Sequence, residues 1–478
     1  MLFHTIDFLV FFSLFLIVYA PLKRSRFAIY IIAAFSVFFY GYWDWHYLPL
    51  LLITVVMDFA IGLALERQTD QQKKKRLLIA SLLVNFSILF YYKYLNFVFD
   101  LILPPAAAEH LKVKDMVLPL GISFYVFQSV SYVIDVYRGR MPAAKRFIEY
   151  LSFVTFFPHL IAGPIQRGWQ LLPQIKNPDV LSPQRFSTAG YYFCKGFFYK
   201  GLGDLLSSYH DPIFNNVHTA EPGAVVVAVF SFGLQIYLDF CGYSEMAIGI
   251  ARLLGVDLIR NFEEPYLSSS PQAFWRRWHI SLSTWLKDYL YISLGGNREG
   301  YAKRMFNVIF VMTVCGLWHG AGIGFIIWGL LHGALIAANI SLRELLDRFT
   351  IYRTVTGSWL GIGLGWLITF ICVNYAWLYF RLPAYADFNA ANHKILSYLS
   401  SLSWNLSSIP AMPPGLPLIF VAVLALDAIH RMTRQRLAAV SWSLSTTAAL
   451  AAAAGIFFAL GLLLNVGTSA QQFIYFQF

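Results

Sequence analysis

The sequence predicts an all-α, polytopic membrane helical bundle of about 11 spans, supplemented by re-entrant or amphipathic helices, and three observations carry that expectation. Hydrophobic residues make up 58% of the 478 and charged ones only 13%, with a mean hydropathy of +0.58; soluble domains hold an apolar share of roughly 45–50%. Apolar runs recur from the first residues to the last with no long polar linker, so 1–478 reads as a single membrane domain. The Lys and Arg residues behind the net charge of +11 and pI near 9.3 gather in short interhelical clusters. That pattern fits loops on one side of a membrane and excludes a nucleic-acid-binding stripe.

Runs of membrane-spanning length occupy residues 2–20, 27–43, 47–65, 77–101 and 117–136. Val18, Tyr19 and Ala20 look like a signal-peptidase site, but no basic residue precedes the apolar stretch, so an uncleaved first helix is expected. Lys23, Arg24 and Arg26 follow the first span; Arg67 and residues 73–76 follow the third; Arg138, Arg140, Lys145 and Arg146 follow the fifth. The second loop has neither Lys nor Arg, and the fourth balances Glu109 and Asp115 against Lys112 and Lys114. Odd loops should therefore face the cytoplasm, with the N-terminus outside.

Residues 147–162 are too short and too polar for a span, carrying Pro158 and His159 before Gly163 and Pro164. Irregular backbone at membrane depth must be buried in protein or line a wet cavity, so a re-entrant or half-buried segment is expected. A weakly apolar stretch, 186–209, leads to a long helix at 223–250 that carries two acids, Asp239 and Glu245. Buried carboxylates need partners; either an Arg such as Arg276 or Arg277 pairs with them or they meet substrate.

Ser270 and Pro271 make a good helix opening. From there Phe274, Trp278, Leu282, Trp285 and Tyr289 form one apolar stripe of a single helix, and Arg277, Ser281, Thr284 and Asp288 a polar one. Spans at 304–319 and 323–340 follow, separated by the glycines 320, 322 and 324. A continuous helix would hold His319 and His332 about 20 Å apart; the glycines predict a break that turns His319 inward. The remaining spans are 357–380, 416–430 and 444–466, with Arg431, Arg434 and Arg436 between the last two and an uncharged tail expected to pack on the bundle or the interface. Cys194, Cys241, Cys315 and Cys372 lie in apolar context without a C-x-x-C pair, so they read as packing residues and no metal site is expected.

The chemistry is expected at His279, His319 and His332, because ionisable groups at membrane depth are rare and functional by default. A neutral imidazole in a dry site can take the proton from a hydroxyl attacking a thioester, and a second polar group can steady the oxyanion.

Long motifs carry a family resemblance over nearly the whole chain. The strongest are FWRRWHISLSTW at 274–285, DYLYISLGGNR at 288–298, and LWHGA at 317–321 with Trp328 and His332. PLGISF (119–124), SYVIDVYR (131–138), FPHLIAGP (157–164), YLDFCGYSEMAIG (237–249) and the closing YFQF (475–478) support them. In these the chain resembles the membrane-bound O-acyltransferase (MBOAT) family, in its bacterial alginate O-acetylation branch. Cys241 and Glu245 depart from the Ser and Asp more usual in that branch, which bears on the identity of the polysaccharide.

The resemblance implies a helical bundle around a central funnel or tunnel. The catalytic histidine falls on His319 and a second active-site histidine on His279. Trp275, Arg276, Arg277, Trp318, His332, His159 and Asp239 are candidates for binding the donor. It further implies a bacterial inner-membrane protein, acetyl-CoA or another acyl thioester as donor with no permanently bound cofactor, and transfer toward an exported, alginate-like polysaccharide through a periplasmic SGNH-type acetyltransferase partner. Peptidoglycan O-acetylation and D-alanyl transfer to teichoic acid are alternatives on the same fold. A proton-coupled transporter is the alternative from another class.

Overall fold

The computed structural model describes residues 1–114, 116–401, 415–437 and 444–465, and among them there are helices and no strand. Among the described residues, seven helices are long and apolar enough to cross a membrane: Trp45–Arg67, Gln71–Lys93, Pro222–Leu253, Ile323–Leu346, Trp359–Arg381, Gly415–Met432 and Thr446–Leu464. Ile6–Leu22 and Ala28–Gly41 are apolar but shorter. Side-chain caps start several of them: Thr5, Asp70 and Ser358 each accept a bond from a first-turn N–H, satisfying donors that have no partner within the helix.

All eleven expected spans are helical, with informative differences. The run 77–101 ends early, at Lys93, and a separate short helix, Leu95–Ile102, follows. Ile122–Tyr137 is buried along almost its whole length, so its apolar run, polar residues Gln128 and Asp135 included, marks protein core. The weak stretch at 186–209 belongs to a 33-residue helix, Pro183–Asn215. The closing motif at 475–478 and the packing expected of the tail lie outside the described residues.

Contacts group the chain into two compact units. The first comprises Met1–Phe197, Tyr243–Arg260 and Ser445–Phe458. Its core holds the segment expected to be re-entrant, in which every residue from 149 to 168 is buried. Two short helices, Phe147–Thr155 and Phe157–Leu160, form it. The Phe157 ring packs 5.4 Å from Phe11, 5.3 Å from Phe15 and 5.7 Å from Phe39, and its N–H donates to Ser36 Oγ at 3.2 Å. Irregular backbone is thus enclosed by protein, as the absence of water in a bilayer core demands.

The second unit comprises Phe198–Gly242, Asn261–Leu444 and Ala459–Phe478. Its centre is a hairpin of two helices, Tyr301–His319 and Ile323–Leu346. A Cβ on Gly316 would sit 2.1 Å from the Phe325 carbonyl oxygen, and one on Gly329 would sit 2.4 Å from that of Met312. Only glycine permits so close a contact of main chain with main chain. The two acids of Pro222–Leu253 find lysines, where arginines were expected: Asp239 lies 2.7 Å from Lys200, which also holds Asp204 at 2.6 Å, and in the first unit Glu245 lies 3.5 Å from Lys195. Lysines five residues apart on Pro183–Asn215 thus serve carboxylates six apart on Pro222–Leu253.

Candidate active site

The segment expected as one helix from Ser270 onward is broken in the middle. Ser270 caps the start, its Oγ accepting from Ala273 N at 3.2 Å, and Pro271–Trp275 is helical. Residues 276–279 are not. His279 has φ +41° and ψ 53°, a left-handed conformation costly for a residue with a Cβ, and a new helix, Ile280–Leu286, begins after it. The turn is clamped from the loop before it: Ile280 N donates to Asn261 O at 2.9 Å, Ser281 Oγ to Asn261 Oδ1 at 2.6 Å, and Glu263 N to Arg277 O at 3.0 Å. Glu264, in that same loop, is the other non-glycine residue with positive φ among the described residues. Backbone strain of this kind persists where the surroundings over-determine it and clusters at functional sites.

The break leaves the apolar stripe intact, with Phe274, Trp278, Leu282, Trp285 and Tyr289 all buried. The polar stripe divides: Ser281 is buried against Asn261 and Arg277 Nη1 turns to the carbonyl of Leu267 at 3.4 Å, while Thr284 is exposed and lines a cavity. A π-helical turn, Lys287–Tyr291, ends the segment.

His279 and His319 come together. Their ring centroids are 6.1 Å apart, and their exposures are 0% and 4%. His319 is the last residue of Tyr301–His319, where the chain turns at Gly320. Rings surround the pair: Phe240 lies 4.6 Å from His279, Trp318 5.9 Å from His279, and Trp328 and Phe380 5.2 and 5.1 Å from His319. The glycine break therefore does what its position predicted.

His332 joins the same cluster from the second arm of the hairpin. Its ring is 4.7 Å from Trp328, and its Nδ1 accepts the indole N–H of Trp275 at 3.1 Å. That bond fixes the neutral tautomer, with the proton on Nε2. Trp377 closes the far side, 5.4 Å from Trp328 and 4.9 Å from Trp278. A cavity of about 380 Å³ opens beside the cage, lined by Gln272, Trp275, Arg276, Lys287, Met312 and Cys315 among others. Of the candidates from sequence, then, Trp275, Trp318, His279, His319 and His332 cluster, Arg276 faces the cavity, and Arg277 and Asp239 are engaged in contacts within the second unit. His159 belongs to the first unit, where its Nδ1 lies 2.9 Å from Gln128 Nε2. Phe240 lies within the YLDFCGYSEMAIG motif but is not distinguished there, and Asn261, Trp377 and Phe380 carry no signal in one sequence, because an asparagine in a loop and aromatic rings in apolar runs look alike at functional and structural positions.

Comparison with known proteins identifies the chemistry. The family model of the membrane-bound O-acyltransferase family matches residues 37–381. The chain is 38% identical over 382 residues to the probable alginate O-acetylase of Pseudomonas aeruginosa, covering 78% of this chain and 71% of that protein. It is 35% identical over 376 residues to the peptidoglycan O-acetyltransferase of Helicobacter pylori, covering 72% and 69%. With the teichoic acid D-alanyltransferase of Streptococcus thermophilus it shares 30% identity over 240 residues, 46% of this chain and 56% of that one. With its apolar spanning helices and paired histidines, the chain belongs to the membrane-bound O-acyltransferase family and is a multi-pass membrane O-acyltransferase.

Proposed function

We propose that this enzyme moves acetyl groups from acetyl-CoA across a bacterial inner membrane for O-acetylation of an exported, alginate-like polysaccharide, with its N-terminus on the periplasmic side. The observation that carries the reading is the buried approach of His279 and His319, 6.1 Å apart in an aromatic cage. In the proposed step His319 takes the proton from the accepting hydroxyl as its oxygen attacks the thioester carbonyl. The C–O bond forms, the C–S bond breaks, and the proton leaves with the thiolate. His279, held in one orientation by its strained turn, orients the thioester. No permanently bound cofactor is required for this chemistry.

The cavity beside Trp275 suits the donor: Arg276 and Lys287 supply positive charge for phosphates, and Val308, Val311 and Met312 an apolar wall for the arm. Trp318 and His332 would shape the cage around the acyl group, while Arg277, Asp239 and His159 serve folding through Leu267, Lys200 and Gln128. A periplasmic SGNH-type acetyltransferase would complete transfer to the sugar. Among the named relatives, the probable alginate O-acetylase matches more of the chain than the D-alanyltransferase does, which favours a polysaccharide acceptor.

The test is transfer from radiolabelled acetyl-CoA in proteoliposomes that hold the purified protein, the SGNH-type partner and alginate oligosaccharide. Label should reach the sugar. A His319→Ala protein that folds normally and still transfers at the native rate overturns the assignment.

A further inference from the structure

The first unit contains a cavity of about 580 Å³ whose lining mixes apolar side chains with a cluster of charged ones. It lies where Ile6–Leu22 hands over to Ala28–Gly41, with the loop after Gly168–Lys176 as its other wall. Five cations line it, Lys23, Arg24, Arg26, Arg146 and Lys176, against one carboxylate, Asp179. Arg146 and Lys176 are partly neutralised by Glu149, at 2.8 and 3.4 Å. Asp179 is already held by Arg185 Nη1 at 2.8 Å, and Arg185 also reaches Asp257 at 3.0 Å.

What remains is an excess of donors. Lys23 Nζ, and behind the cavity wall the Nε and Nη2 of Arg185, which does not line the cavity itself, are buried, and no acceptor among the described residues meets them. Burial and the neighbouring Arg185 and Arg24 depress the pKa of Lys23, with Asp179 opposing; an anion in the cleft beside Lys23 and Arg24 would offset these effects. A buried cationic donor without an acceptor is expensive, and a single group with several oxygens is the economical way to satisfy a lysine and a guanidinium together.

We propose that this cleft binds a phosphate ester, either the headgroup of an anionic phospholipid or a phosphorylated soluble ligand. Its position at the ends of two apolar helices is the level at which headgroups lie, and basic residues next to spans attract anionic lipid. The site shares no residue with the histidine cage and does not depend on the acyl-transfer reading.

Two arms separate the sources. In the first, the full chain is placed in nanodiscs of equal phosphatidylglycerol and phosphatidylcholine, and retained lipid is counted by native mass spectrometry. In the second, inorganic pyrophosphate is titrated into protein held in phosphatidylcholine alone. Lys23→Gln with Arg26→Gln should weaken the bound ligand roughly fivefold for each cation removed, Lys23→Arg should retain it, and Lys73→Gln with Lys74→Gln, on another loop, should change nothing. Selective loss of phosphatidylglycerol identifies a lipid site, and selective loss of pyrophosphate binding a soluble one. Equal retention in the wild type and the Lys23/Arg26 variant, equal loss in the Lys73/Lys74 control, or no binding by the wild type in either arm overturns the proposal.

Discussion

The indole N–H of Trp275 donates to Nδ1 of His332 at 3.1 Å, with both side chains buried. The bond joins the broken segment that carries His279 to the hairpin that carries His319. An asparagine at 332 can place an acceptor near the Nδ1 position; a glutamine places its amide near Nε2. His332→Gln should therefore lose about 1–3 kcal/mol of stability by stranding the indole donor, and His332→Asn less. Thermal unfolding in detergent reads the difference, and equal losses would show that the bond contributes nothing.

His319→Ala should lower acetyl transfer by about 10²–10⁴-fold, the usual contribution of a positioned general base, with the protein still folded. Size-exclusion behaviour together with label transfer in proteoliposomes measures both.

His279 sits at φ +41°, a region that asparagine tolerates and β-branched residues resist. His279→Asn should unfold at a higher temperature than His279→Val, with a gap on the order of 1–3 kcal/mol. Both should lose transfer. A valine variant as stable as the asparagine one contradicts the strained turn.

Gly316→Ala forces a methyl to 2.1 Å from the Phe325 carbonyl. The hairpin has to part, at a cost of about 1–3 kcal/mol, and His319 at its tip moves with it. Activity should fall along with thermal stability, whereas Gly363→Ala, whose added Cβ meets nothing within 4 Å, should leave both unchanged.

Asp257 lies in the loop after Pro222–Leu253, outside the spans. Burial alone raises its pKa, but Arg252 Nε at 2.8 Å and Arg185 Nη1 at 3.0 Å outweigh that and hold it below the ordinary carboxylate value. A carboxylate depressed in the folded state stabilises the protein above its unfolded pKa of about 3.9, and the contribution fades as pH falls through the folded value. The stability gap between wild type and Asp257→Asn should be full near pH 6 and close progressively below about pH 4, as thermal unfolding across that range will record.

The sequence discloses spans because length and apolarity suffice to define them, and it discloses the inward turn of His319 because glycines 320, 322 and 324 announce a break; that His279 shares its site is implied only by the family resemblance. It conceals the break at 276–279, since Phe274, Trp278 and Leu282 keep helical spacing across it. It also misdirects the partners of Asp239 and Glu245: Arg276 and Arg277 are nearer in the chain's most distinctive motif, while Lys200 and Lys195 lie on a helix whose packing no local pattern specifies. Ile122–Tyr137 shows the converse limit, for an apolar run reads alike whether lipid or protein surrounds it.

Because Gly316 and Gly329 bring peptide groups of the two arms into direct touch, the spacing of the hairpin owes little to the outward side chains. Phe306, Phe310 and Leu330, all exposed, can be exchanged for other oily residues to suit thicker, thinner or differently fluid bilayers while the imidazoles stay where they are. Adaptation to lipid and preservation of chemistry are thereby assigned to different sides of the same two helices.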